Sequence, residues 1–92
     1  MQDDIARRVV VEGMVQGVGF RMACAQQARS VGVRGWVRNL PDARVEAWVE
    51  GPAEPVRDVV EWLAEGPVAA QVSGRSVTEE DPQQYPSFTI ES

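Results

Sequence analysis

The sequence predicts an α+β protein: a ferredoxin-like βαββαβ sandwich whose antiparallel sheet carries two helices on one face, with a short extra C-terminal strand. Three observations lead there. Residues 20–31 and 56–63 repeat apolar side chains at helical spacing. Residues 7–15, 35–39, 44–50 and 71–78 are short stretches suited to strands, set around those helices in the order strand, helix, strand, strand, helix, strand. Glycine- and proline-bearing breaks separate them, and right-handed crossovers would put both helices on one side. No repeat, linker or low-complexity stretch divides the chain, so residues 1–92 are expected to form a single domain.

The first strand, residues 7–15, places Val9 and Val11 on one face and Arg8, Val10 and Glu12 on the other. A glycine-rich stretch then runs into the first helix, about residues 21–31. Phe20, Cys24, Ala28 and Val31 form its apolar stripe and Gly32 ends it. On that stripe Cys24 reads as a small core residue rather than a reactive thiol. Residues 35–39 form the second strand, Leu-Pro-Asp-Ala at 40–43 a turn, and 44–50 the third strand. There Val45, Ala47 and Val49 face inward and Glu46, Trp48 and Glu50 outward. Trp36 and Arg38 join that outward face, read as cross-strand packing rather than a binding platform.

Gly-Pro-Ala-Glu-Pro at 51–55 breaks the third strand, with proline suited to a first helical turn. Val56, Val59, Val60 and Leu63 then give the second amphipathic helix, with Trp62 at the edge of its stripe and Gly66-Pro67 as terminator. Residues 71–78 form the fourth strand, interrupted at Gly74. Residues 79–86 read as a polar loop whose Glu79, Glu80 and Asp81 are solvated. Phe88 and Ile90 share one face of a short final strand.

The chemistry concentrates where the first strand turns into the first helix. Gly-Met-Val-Gln-Gly-Val-Gly-Phe-Arg, residues 13–21, can fold tightly and offer its N–H groups to an anion at a helix N-terminus. Arg21 adds a planar fork of donors matched to phosphate oxygens. A cation in the first helical turn opposes the macrodipole by roughly 0.3–1 kcal/mol, a sign that a bound dianion reverses. On glycine spacing alone, a plain turn with a solvated arginine is the stronger explanation.

The segment Val15-Gln16-Gly17-Val18-Gly19-Phe20-Arg21, followed by Gly35-Trp36-Val37-Arg38-Asn39, resembles the paired signature motifs of the acylphosphatase family in composition, order and separation. The likeness extends to Val45-Glu46-Ala47, Glu50-Gly51, Gly66-Pro67 with Ala70 and Val72, and Phe88-Thr89-Ile90. It implies hydrolysis of a small acyl phosphate to a carboxylate and inorganic phosphate, the latter as product or inhibitor, with no metal and no cofactor. It implies Arg21 and Asn39 as catalytic residues. The phosphate would be held by Arg21 with Val15, Gln16, Gly17, Val18, Gly19 and Phe20, while Asn39 orients the water. A carboxamide suits that task, since its oxygen accepts from water and its nitrogen donates to phosphate, without acting as a base. Two positions depart from the resemblance. Ala43 stands in the turn after the asparagine strand where glycine is common; if φ there is positive, alanine costs on the order of 1 kcal/mol, and a shifted hairpin tip is expected. Met22 replaces a frequent aromatic and should alter packing beside the loop.

Composition excludes other chemistries. The 92 residues are 43% hydrophobic and 25% charged, enough for one small core. There is no histidine and one cysteine, which rules out histidine metal sites, histidine-based triads, an internal disulfide and a thiolate zinc site. Net charge of −5 argues against a nucleic-acid partner, and no apolar run approaches the roughly 18 residues of a membrane span. The Met-Gln-Asp-Asp start lacks a secretory pattern, so a cytoplasmic monomer is expected. Arg7, Arg8, Arg38 and Arg44 are expected to serve surface ion pairs rather than substrate attraction. The alternative function is a non-catalytic anion- or ligand-binding module of the same fold. An RNA-binding sheet face at Trp36 and Trp48 is a weaker third, set against the acidic charge.

Overall fold

The computed structural model describes residues 3–91; Met1 and Gln2, part of the stretch read for targeting, lie outside it, as does Ser92. Seven elements follow in order: β1 (Asp4–Met14), α1 (Phe20–Ser30), β2 (Arg34–Asn39), β3 (Val45–Pro52), α2 (Ala53–Trp62), β4 (Gln71–Glu80) and β5 (Phe88–Ile90). They form one five-stranded sheet in the order β4-β1-β3-β2-β5. The first three neighbouring pairs in that order are antiparallel. The added β5 runs parallel to β2, Gly35 opposite Phe88 and Val37 opposite Ile90, so the sheet is mixed.

Alternation of side chains along the strands gives one wholly apolar face. Val9 and Val11 of β1, Val37 of β2 and Val45, Ala47 and Val49 of β3 are buried there. Phe20, Cys24, Ala25 and Ala28 of α1 and Val56 and Val59 of α2, with Leu63 just beyond it, close over them in a single cluster. Ala25 thus joins the stripe. Val31, expected on it, is instead the C-cap residue of α1 and is 40% exposed, because the helix has ended before its side chain can turn inward. Burial pushes the Cys24 thiol from its ordinary 9.0 up to about 12, in keeping with a core residue. Trp62 packs on Phe20 with ring centroids 5.6 Å apart, tying the edge of α2 to the start of α1.

The other face of the sheet is covered by its own chain. Trp36 and Trp48 stack at 6.4 Å, Tyr85 meets Trp48 edge-on at 6.1 Å, and the Trp36 indole donates to the Tyr85 hydroxyl at 3.2 Å. This is the cross-strand packing expected of the two tryptophans. Glu46 and Glu50 do point away from the helices, yet both are buried, Glu50 completely. The Glu50 carboxylate accepts from the Trp48 indole at 2.8 Å and from the backbone amides of Gln83, Gln84 and Tyr85 at 3.0, 2.8 and 3.2 Å. It therefore pins the connection from β4 to β5 across the sheet.

Two further boundaries differ from expectation, the first being β3, which runs on through Gly51 to Pro52 opposite Ile5 and Asp4 of β1 instead of breaking there. β4 continues through Glu80, since Ala6 and Arg7 of β1 offer partners that far, and the register shifts opposite Gly74, between Glu12 and Gly13. Glu79 and Glu80 are consequently strand residues paired with Arg7 and Arg8, at 3.2 and 3.3 Å, rather than loop residues. Arg8 and Arg38 also hold Glu46, and Arg44 holds Asp42, so the four arginines expected in ion pairs are in them. No helix among the described residues is long and apolar enough to cross a membrane.

Candidate active site

β1 ends at Met14, and residues 15–19 connect it to α1. Gly17 and Gly19 take φ of 76° and 77°, the left-handed region in which a side chain would cost about 1–2 kcal/mol. Gly19 is the N-cap of α1, with no side-chain cap and no acidic residue in the first turn. Among the described residues no backbone carbonyl accepts from the amides of Gln16, Gly17, Val18, Gly19 or Phe20. Such amides at a helix N-terminus, with its partial positive charge, are donors in want of an anion.

Arg21 lies in the first turn of α1 and donates from Nη1 to the carbonyl of Glu91 at 2.9 Å. Glu91 is itself fixed, its amide donating to the Val37 carbonyl of β2 at 2.8 Å. The guanidinium is thereby held by the segment after β5 while its remaining donors stay available. Asn39 is the last residue of β2, opposite Val45. The turn that follows it is closed by Leu40 donating to the Arg44 carbonyl at 2.8 Å, and Ala43 adopts φ of 76° there. Alanine has thus kept the positive φ that glycine would adopt without strain.

The Gln16 side chain joins loop to turn. Its Nε2 donates to the carbonyls of Leu40 at 2.8 Å and Arg44 at 2.9 Å. Val15, Gly17, Gly19, Phe20, Arg21, Met22, Asn39 and Ile90 line a common cavity of about 200 Å³. Six of the residues named from sequence, Val15, Gly17, Gly19, Phe20, Arg21 and Asn39, are therefore brought together. Gln16 instead turns its side chain to the hairpin, and Val18 packs against the core. Sequence reasoning missed the C-terminal contribution, Ile90 and the Glu91 carbonyl. The alternation in Phe88-Thr89-Ile90 signalled a strand but carried nothing about which edge it would join.

The surface offered for base stacking is not open. Trp36 and Trp48 are engaged with each other and with Tyr85, and Arg38 sits 5.1 Å over the Trp36 ring while paired with Glu46.

The Acylphosphatase family profile matches residues 7–90. An acylphosphatase of Anaeromyxobacter dehalogenans is 52% identical over 82 residues, 89% of this chain and 88% of that protein. One from Acaryochloris marina is 46% identical over 90 residues, 98% and 97% of the two chains. Among solved structures, the acylphosphatase from Bacillus subtilis superposes with a TM-score of 0.92 at 36% identity, covering 96% of this chain and 99% of that one.

Proposed function

The chain belongs to the acylphosphatase family and is an enzyme of that type; from this we propose that Arg21, Asn39 and the amides of residues 15–20 carry its reaction. The observation that supports this most is the convergence of Arg21, Asn39 and the two left-handed glycines on one cavity, beside amides that no backbone carbonyl takes up.

The phosphoryl group of a small acyl phosphate sits against the loop amides and the Arg21 guanidinium. Asn39 Oδ1 accepts a hydrogen bond from a water and directs it at phosphorus, opposite the acyl oxygen. The bond from water oxygen to phosphorus forms as the bond from phosphorus to the acyl oxygen breaks, and the carboxylate leaves with that electron pair. The water proton passes to a phosphate oxygen. A carboxylate is a weakly basic leaving group, so no general acid is required. Stabilisation of charge on the equatorial oxygens by amides and guanidinium, together with positioning, accounts for the acceleration without a metal or cofactor. Inorganic phosphate, as product, competes for the same cradle. The free, buried Cys24 agrees with a cytoplasmic location, and we assign the protein as a monomer without nucleic-acid or membrane partners.

Benzoyl phosphate hydrolysis in excess chelator, with Arg21→Ala and Asn39→Ala alongside, tests this. Arg21→Ala should lose phosphate binding and turnover together, and Asn39→Ala mainly turnover. Phosphate binding through Arg21 in a folded wild type that hydrolyses nothing would select the non-catalytic anion-binding module instead.

A further inference from the structure

The lining of the cavity divides into two chemistries. Arg21, Asn39 and the backbone at Gly17 and Gly19 form the polar part, and Val15, Phe20, Met22 and Ile90 the apolar part. Val15 and Phe20 belong to the core, at 1% and 2% exposure, and offer a ligand little surface. Met22 and Ile90 are different, with 55% and 36% of their surface in solvent. Single exposed apolar residues call for no explanation. These two come from separate elements, α1 and β5, and line the same cavity, whereas the exposed Met14, Val68 and Val77 do not.

We propose that Met22 and Ile90 form the acyl subsite, and that it selects acyl phosphates with an uncharged, apolar acyl group over those carrying a second anion. The proposal rests on the phosphate cradle described above. With the phosphoryl group against Arg21 and the loop, the acyl group must leave along the remaining lining, whose solvent-facing side chains are these two. Met22 adds an unbranched, polarisable chain that can mould to acyl groups of different shape.

Charge points the same way. The chain has net charge −5, and Arg21 is the cation lining this cavity. Arg7, Arg8, Arg34, Arg38 and Arg44 are each paired with carboxylates away from the cavity. A carboxylate or second phosphate on the acyl group would find Arg21 already engaged, and would sit against methyl and thioether groups at the cost of its hydration.

Phosphonates test the subsite because they keep the dianion and cannot be hydrolysed. A fully buried methylene raises affinity about fourfold, and one with a side still in water about twofold. By calorimetry, butylphosphonate should therefore bind the wild type roughly eightfold more tightly than methylphosphonate. 3-Carboxypropylphosphonate should bind no more tightly than methylphosphonate. In Met22→Ser/Ile90→Ser the ratio of butyl to methyl affinity should fall to about one to two; both side chains are solvent-exposed, and thermal melts would report on the fold. Equal binding of the butyl and methyl compounds, a wild-type ratio surviving in the double variant, or preference for the carboxylated chain would overturn the proposal. Failure of every phosphonate to bind would overturn it along with the cradle. The chain-length ratio without benzoyl phosphate turnover would keep the subsite and remove the catalytic reading; turnover dependent on Arg21 without the ratio would do the reverse.

Discussion

The carboxamide of Gln16 donates to the carbonyl of Leu40, the residue directly after Asn39, at 2.8 Å, and to that of Arg44 at 2.9 Å. One side chain of the β1–α1 loop thus holds both legs of the turn that follows Asn39. The two halves of the site come from β1–α1 and β2–β3, and this clamp sets their spacing.

Gln16→Ala should therefore act on turnover more than on binding, with kcat down about tenfold for a sub-ångström misplacement of Asn39 and KM little changed. Gln16→Glu, which sets a carboxylate against two carbonyl oxygens, should do worse. Steady-state kinetics on benzoyl phosphate check it. A rise in KM with kcat intact would move Gln16 from positioning the asparagine to holding the phosphate.

Ala43 carries φ of 76° and has no need of its side chain to do so. Ala43→Gly should relieve that strain, offset in part by the greater freedom of glycine in the unfolded chain, for a net gain of about 0.5–1 kcal/mol. Urea unfolding should show a higher midpoint with the same slope. A lower midpoint would mean that the turn is set by something other than backbone strain.

Glu50 is fully buried and accepts four hydrogen bonds, three of them from backbone amides. Glu50→Gln replaces one accepting oxygen by an NH₂ that faces donors. The expected loss is about 2–4 kcal/mol, a fall in Tm of roughly 10–25 °C for a domain of this size. Differential scanning calorimetry decides it, and a shift below a few degrees would show that the connection between β4 and β5 holds without the carboxylate.

Cys24 gives a pH dependence whose sign is fixed by burial. Its thiol is raised from 9.0 to about 12 in the folded protein, so between those values the unfolded chain has lost a proton that the folded chain retains. Stability then falls with rising pH across that window, by up to about 1.4 kcal/mol per unit, and this contribution is fully present below pH 9.0. Cys24→Ala should be less stable at neutral pH but should flatten the alkaline slope in denaturant titrations. Identical slopes in the two proteins would show that Cys24 does not supply it.

The parts of the molecule legible in advance were those with local causes. The stripe at Val56, Val59 and Leu63 marked α2, the alternation at Val45, Ala47 and Val49 marked β3, and the glycines at 17 and 19 marked a tight loop, which is left-handed at both. Ala43 was read as strained on the condition that its φ be positive, and that condition is met. What escaped depended on partners remote in sequence. Glu50 looked like any solvated residue on an outward face, because the amides that bury it lie 33 to 35 positions later. Ile90 looked like an ordinary strand residue, because only parallel pairing of β5 with β2 brings it to the cavity.

The hydrogen bond from Arg21 to the Glu91 carbonyl spans 70 residues of sequence. On a ribosome adding about 5–20 residues per second, the arginine leads its anchor by roughly 4–14 s. Throughout that interval the loop can form, but the guanidinium has no carbonyl to hold it and the cavity lacks the wall supplied by Ile90. A nascent chain thus carries an incomplete cavity until β5 emerges and docks beside β2. The cavity is completed in one step, with the docking of β5, rather than growing with chain length.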